Sequence, residues 1–231
     1  MPDPKKINLQ RYDDGTPSIL RKRTVYTELY FYRKSDVLVQ LTKAFCQRFL
    51  PKYGDRTVDQ MVQAARSIKQ NIAEGFTDGQ TSFEVEIKLL GIAKGSNQEL
   101  LEDYQDYMKQ HHIAEWAEAN TARFDKLHTF CLKHSDNPDY SPFYETWTDE
   151  EMCNTAVCLC HMVDKAMTSY IENLDREFVT EGGIRERMTA ARLDMRGTQK
   201  EIIEQLQAEN NALRAQVASL QRELAALKGQ L

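Results

Sequence analysis

From Ile203 to Leu231 the sequence repeats with a period that only one kind of helix uses. Ile203, Leu206, Asn210, Leu213, Val217, Leu220, Leu224 and Leu227 follow one another in alternating steps of three and four. A repeat averaging 3.5 residues keeps one apolar stripe turned toward a partner helix, so this segment reads as a coiled coil and the chain as an oligomer. Ile203, Asn210, Val217 and Leu224 occupy the a positions, and every d position is Leu. β-Branched residues at a, Leu at d and a single Asn at a favour two parallel strands in one register. Glu209 faces Arg214 and Glu223 faces Lys228 in the flanking g-to-e′ pairs, which choose a partner more than they stabilise it. The alternative is an amphipathic helix lying on its own domain, although such helices bury a wider face. So regular a repeat is also what a grafted zipper would show.

The remainder has room for one sizeable domain. With 231 residues, 41% hydrophobic and 28% charged, the chain has the composition of a soluble folded protein. No apolar run is long enough for a membrane span, and residues 1–10 lack an apolar signal core. Five cysteines without paired spacing fit a reducing cytoplasm. The net charge of −5 is unevenly spread: residues 1–56 carry +6, residues 57–180 carry −12 and residues 181–231 carry +1. A basic arm on an acidic body points to polyanion contact at one end.

Residues 1–24 read as an extended basic arm, with Pro2, Pro4, Gly15 and Pro17 opposing regular structure. Thr24 to Tyr32 is ambiguous between strand and helix. A first helix is clear by Leu38, Leu41, Phe45 and Phe49 and ends at Pro51 and Gly54. Capping boxes at Thr57/Gln60, Thr81/Glu84 and Thr148/Glu151 announce three further helices. A shorter helix is expected around Trp116 to Lys133, and a loop from Ser135 to Pro142. Gly182 and Gly183 end the last long helix. The organisation is therefore all-α: an up-and-down four-helix bundle over residues 25–180, a short amphipathic linker helix over 181–198 with Gly197 as hinge, and the coil over 199–231.

Two segments resemble a known family. AARSIKQNIAEG at Ala64 to Gly75 and GIAKGSNQEL at Gly91 to Leu100 look like the four-helix-bundle family that includes the proteins encoded within 23S ribosomal RNA intervening sequences. That family also includes the accessory variability proteins of diversity-generating retroelements. The similarity covers roughly residues 35–178, and EGGIRERM at Glu181 to Met188 looks like the C-terminal segment of longer members. The resemblance implies a four-helix bundle, a homopentamer, and, for the retroelement members, binding to nucleic acid and a reverse transcriptase. It implies no catalytic residue. The acidic bundle departs from the basic surface of such members, and a pentamer conflicts with a coil patterned for two strands.

Several residues carry expectations of their own. Gly91 and Gly95, four apart inside a helix, cost about 1 kcal/mol each and point to a closely approaching neighbour helix. Ser67 and Asn71 are placed to bond across the core. Cys153, Cys158, Cys160 and His161 match no usual zinc spacing and read as buried thiols, so neither metal nor cofactor is expected. No catalytic group is expected either, since Glu74 and Glu99 lack a partner at a defined spacing. Arg21, Lys22, Arg23, Arg33 and Lys34 lie among Tyr26, Tyr30, Phe31 and Tyr32, with Arg48, Lys52 and Arg56 beyond. Cations interleaved with rings suit single-stranded nucleic acid. Arg185, Arg192 and Arg196 form a second basic group on one side of the linker helix. The expected function is that of an oligomeric accessory protein in a nucleoprotein complex, with RNA or DNA, a reverse transcriptase and further copies of itself as partners. A coil-assembled protein-interaction scaffold is the alternative.

Overall fold

The computed structural model describes residues 7–21, 23–51 and 56–228. Lys22, Lys52 and Gly54 lie outside the described residues, as do the side chains of Glu223, Leu227 and Lys228. The secondary structure is helical throughout: α1 (Tyr30–Phe49), α2 (Thr57–Asp78), α3 (Phe83–Gln110), α4 (Trp116–Ala119), α5 (Thr121–Lys133), α6 (Asn137–Tyr140), α7 (Asp149–Glu181) and α8 (Ile184–Lys228). The chain divides into two units, Leu20–Thr180 and Met1–Ile19 with Glu181–Leu231.

In the first unit the four long helices α1, α2, α3 and α7 contribute one continuous core. Leu38, Leu41 and Phe45 of α1, Met61, Ile68 and Ile72 of α2, Leu90, Leu100 and Tyr104 of α3, and Met152, Leu159 and Val163 of α7 are all buried in it. Their spacing in each helix follows the 3.6-residue period, which is why these segments become helices that share one interior. The short link between α2 and α3 makes them antiparallel neighbours. Polar ties set the register. Tyr104 Oη donates to Thr42 Oγ1 at 3.0 Å, and Asn97 Nδ2 donates to the Cys160 carbonyl at 3.0 Å. Ser67 Oγ meets Ser96 Oγ at 2.8 Å and so bridges α2 to α3, whereas Asn71 Nδ2 bonds within α2, donating to Ser67 Oγ at 3.1 Å.

Local punctuation follows the sequence in part. The third capping box forms as expected: Glu151 N donates to Thr148 Oγ1 at 3.2 Å and Thr148 N to Glu151 Oε2 at 2.9 Å. At α3 the cap is Ser82, not Thr81; its hydroxyl accepts from Val85 N at 3.3 Å. Thr81 Oγ1 instead donates back to the Asp78 carbonyl at 3.0 Å. The Trp116–Lys133 helix is divided at Asn120, whose side chain accepts from Arg123 N and starts α5 afresh. Tyr26–Glu28 is one turn of 3-10 helix, and α1 begins at Tyr30, which resolves the strand-or-helix ambiguity toward helix.

The glycines invert the expectation. A methyl group at Gly91 or Gly95 would meet nothing within 4 Å, so no neighbour of this chain approaches there. The close approach is at Gly75 and Gly79 of the α2 end. A Cβ at Gly75 would lie 3.2 Å from Leu89 Cβ, and one at Gly79 would clash with the Glu86 carboxylate.

In the second unit, residues 10–18 turn back on themselves. Arg11 bridges Pro17, Tyr12 N donates to the Thr16 carbonyl at 2.9 Å, and Gly15 supplies the positive φ of 82° that the turn needs. Arg11 pairs with Asp194 of α8 at 2.9 Å. The break between α7 and α8 falls at Gly182, φ 74°, and Gly183, as the glycine pair predicts. Gly197 does not act as a hinge. α8 continues through it, because one exposed glycine costs about 1 kcal/mol, too little to interrupt a long run of helix formers. Linker helix and coil are therefore a single element.

Candidate nucleic-acid interface

Most of the N-terminal cations are spent inside the first unit. Glu86 is fully buried on the core side of α3 and holds two guanidiniums. Arg21 Nη2 donates to its Oε2 at 2.8 Å, Arg23 donates to both of its oxygens, and Tyr170 Oη donates to Oε1 at 2.8 Å. The Arg21 and Arg23 side chains are only 5% and 8% exposed. Arg21 also lies flat over Phe83, 3.6 Å from the ring centre. Burial first, and then the neighbouring Arg23, hold the Arg21 pKa below its usual value despite the Glu86 charge. Gly79 exists at this point to admit the Glu86 carboxylate.

The others follow the same pattern. Arg33 grips Asp136 with a forked pair, Nε to Oδ1 at 2.6 Å and Nη2 to Oδ2. Lys34 is wholly buried and bonded to the carbonyls of Cys131 and His134. Arg48 donates to the carbonyls of Tyr144 and Trp147, closing the loop before α7. Their rings are also occupied. Tyr26 packs edge-on against Tyr32 at 4.9 Å, and Phe31 lies 5.3 Å from Tyr170. The interleaving of cations and aromatics therefore serves the core. Of this group only Arg56 is exposed and makes no ion pair among the described residues.

The second basic group is placed differently. Arg185, Arg192 and Arg196 are all exposed on α8 and make no ion pair among the described residues. Steps of seven and four residues put them on one side of the helix over about 16 Å. The sequence of α8 holds no aromatic residue. Arg187, between them in sequence, is turned inward; its Nε donates to the Ile19 carbonyl at 3.0 Å and its Nη1 to Glu181 at 3.0 Å.

Further along the same helix the heptad stripe is uncovered. Ile203 is 54% exposed, Leu206 57%, Leu213 55%, Val217 53%, Leu220 63% and Leu224 56%. A run of large apolar side chains so exposed in the single chain is the surface that a coiled-coil partner buries. Asn210, at its centre, is exposed with them.

The cysteines are buried. Cys153 and Cys160 are 0% exposed and Cys158 3%, while His161 is exposed. Burial raises the Cys153 and Cys160 thiols well above their usual range. Among the described residues no group of three or more His, Cys, Asp or Glu is placed to hold a metal ion. No helix among the described residues is long and apolar enough to cross a membrane.

Two residues that matter here were not singled out from the sequence, Glu86 and Cys131. Glu86 had a signal: it sits on the stripe Phe83, Glu86, Leu90, Ala93, where a carboxylate is buried only if paired. Cys131, buried in α5, had no comparable signal.

A search of curated proteins and a search of solved structures each find no match. Residues 27–127, which span α1, α2, α3 and most of α5, match the family model described as 23S rRNA-intervening sequence protein.

Proposed function

We propose that this chain is a non-catalytic, oligomeric member of the 23S rRNA-intervening sequence protein family that binds nucleic acid through α8. The observation that carries the reading is the layout of that helix. Three unpaired arginines share one side of it, and an uncovered heptad stripe follows without a break. In a parallel coil, each copy brings its arginines to the same end of the stripe, so assembly multiplies the phosphate contacts. The helix offers guanidiniums and no rings. The favoured ligand is therefore the phosphate backbone of a duplex rather than unstacked single-strand bases. A nucleic-acid polymerase of the reverse-transcriptase class is the protein partner proposed for the resulting complex.

The test is fluorescence anisotropy of the full chain with a labelled duplex and a single strand of the same sequence, across a salt series. Three phosphate contacts per chain predict a log–log salt slope of roughly −2.7, and about −5 for two chains acting together. Replacing Arg185, Arg192 and Arg196 with Ala should flatten that slope and weaken binding. Binding that is insensitive to salt, or unchanged in the triple variant, overturns this site.

A scaffold reading retains one favouring observation. Glu99, Glu102, Asp103 and Asp106 gather on α3, and burial followed by those acidic neighbours raises the Asp103 pKa. A basic protein would find its complement there. No binding of either nucleic acid at low salt would leave this reading.

A further inference from the structure

The heptad register of the coil does not stop at Ile203. α8 is one unbroken helix from Ile184 to Lys228, so the register can be counted back along it. Alternating steps of four and three lead from Ile203 to Gln199, Arg196, Arg192, Thr189 and Arg185. Arg185 and Ile203 are 18 residues apart, about five turns of helix, and so face the same way. All six of these residues are exposed. The three exposed arginines therefore do more than share one side of α8. They lie on the coil seam itself, at d, a and d positions.

That placement acquires a consequence when a second copy occupies the seam. The occupant is another copy of this chain aligned in parallel, because Glu209 then faces the partner's Arg214 and Asn210 meets its own counterpart. Before Ile203 a second apolar row favours continued contact: Met188, Met195 and Ile202, at the g positions beside the seam, are exposed on the single chain. Helix axes about 8–10 Å apart bring Arg192 and Arg196 of both copies into one cluster. Their two layers are about 6 Å apart along the helix. Four guanidiniums thus gather within about one Debye length, and salt screens their repulsion only in part. Asp194, two residues beyond Arg192, points to the opposite side of α8 and is held there by Arg11.

We infer that two copies of α8 build one composite phosphate site at the foot of the coil. Arg192 and Arg196 of each copy grip phosphate oxygens from opposite sides, and Arg185 of each extends the site toward the start of the helix. This rests on the reading above that α8 pairs copies and binds phosphate, and it adds that one copy holds only half of the site. Guanidiniums suit the task because their forked donors match phosphate oxygens. The empty site is a set of facing like charges that opposes pairing, and the occupied site is a clamp. A ligand that binds only the paired state stabilises it, and pairing strengthens ligand binding by the same factor. The phosphates are those of a nucleic-acid backbone or of a free inorganic oligophosphate, which share this chemistry.

Sedimentation equilibrium of the full chain measures association at fixed ionic strength in chloride, then with inorganic tripolyphosphate, then with a short DNA duplex. The expected result is association roughly tenfold tighter with anion, a common size for coupling between two binding events. A response to the duplex alone assigns the site to a polymer backbone, and a response to both anions adds free phosphates; either supports the site. A response to tripolyphosphate alone keeps the site and removes the nucleic-acid reading. Arg192→Leu with Arg196→Ile, checked for native helical content, continues the apolar seam. It should associate more tightly than the unaltered chain in chloride and respond to neither anion. Duplex binding that leaves association unchanged overturns the shared site while the proposed function stands. Weaker association of the Leu and Ile variant in chloride, or single copies in every condition, also overturns it.

Discussion

Replacing Glu86 with Gln keeps the side chain's shape and removes its charge. The carboxylate it replaces is fully enclosed, and the guanidiniums on it are 5% and 8% exposed. Neither Arg21 nor Arg23 can turn to water without giving up the enclosed Glu86 carboxylate. Removing one partner from a buried ion pair costs about 3–5 kcal/mol, because the charges left behind have lost both water and counterion. For a unit of this size that corresponds to a fall in Tm of about 6–20 °C. Urea unfolding of the full chain at fixed concentration measures the loss, and hydrogen exchange at residues 20–25 locates it. The paired change of Glu86→Leu with Arg21→Leu and Arg23→Met should recover most of the stability, since an apolar cluster of similar volume often equals a buried ion network. A loss below about 1 kcal/mol in Glu86→Gln, the range of an exposed pair, would refute the view that these arginines are structural and return them to the surface.

Other outcomes follow from the same geometry. Gly79→Ala should destabilise the chain through the clash of its Cβ with Glu86, whereas Gly91→Ala and Gly95→Ala should each stabilise it by about 0.5–1 kcal/mol, as open helical positions do. A loss of stability at Gly91 or Gly95 would reveal a helix of another copy against that face. Thr148→Ala removes one half of the capping box at α7 and should cost about 1 kcal/mol in thermal unfolding. Asn210→Val should raise coil stability while loosening its choice of oligomer, which light scattering after gel filtration would record.

The bundle was legible because its signals are local and redundant. Apolar spacing, the Thr148 box and the Gly182–Gly183 break each mark an element without help from the rest of the chain. The charges were harder to read. Arg21, Arg23, Lys34 and Arg48 look from composition like a polyanion-binding knot, yet each is claimed by a long-range acceptor that no sequence window contains. Their fate was partly written in the stripes: Lys34 falls in the register of Phe31, Leu38 and Leu41, and Arg48 in that of Leu41 and Phe45. A cation on a core stripe must find an internal partner. The glycines misled for the opposite reason. Four-residue spacing made Gly91 and Gly95 look like a contact, but α2 meets α3 instead through Gly75 and Gly79, which sit beside the helix ends. Arg185, Arg192 and Arg196 do lie exposed on α8, on the one side their spacing gives, because that placement depends on helix geometry alone.

On the proposed function, α8 both assembles copies and carries the nucleic-acid contact. Native mass spectrometry of the full chain, purified at low salt and presented with a duplex, tests both parts at once. The expected result is a multiple of the chain mass carrying duplex mass. Leu213→Glu with Leu220→Glu should reduce the protein to single copies, and Ala at Arg185, Arg192 and Arg196 should leave the multiple intact but bare. A single-copy species in the unaltered chain, or duplex mass retained without those arginines, would contradict it.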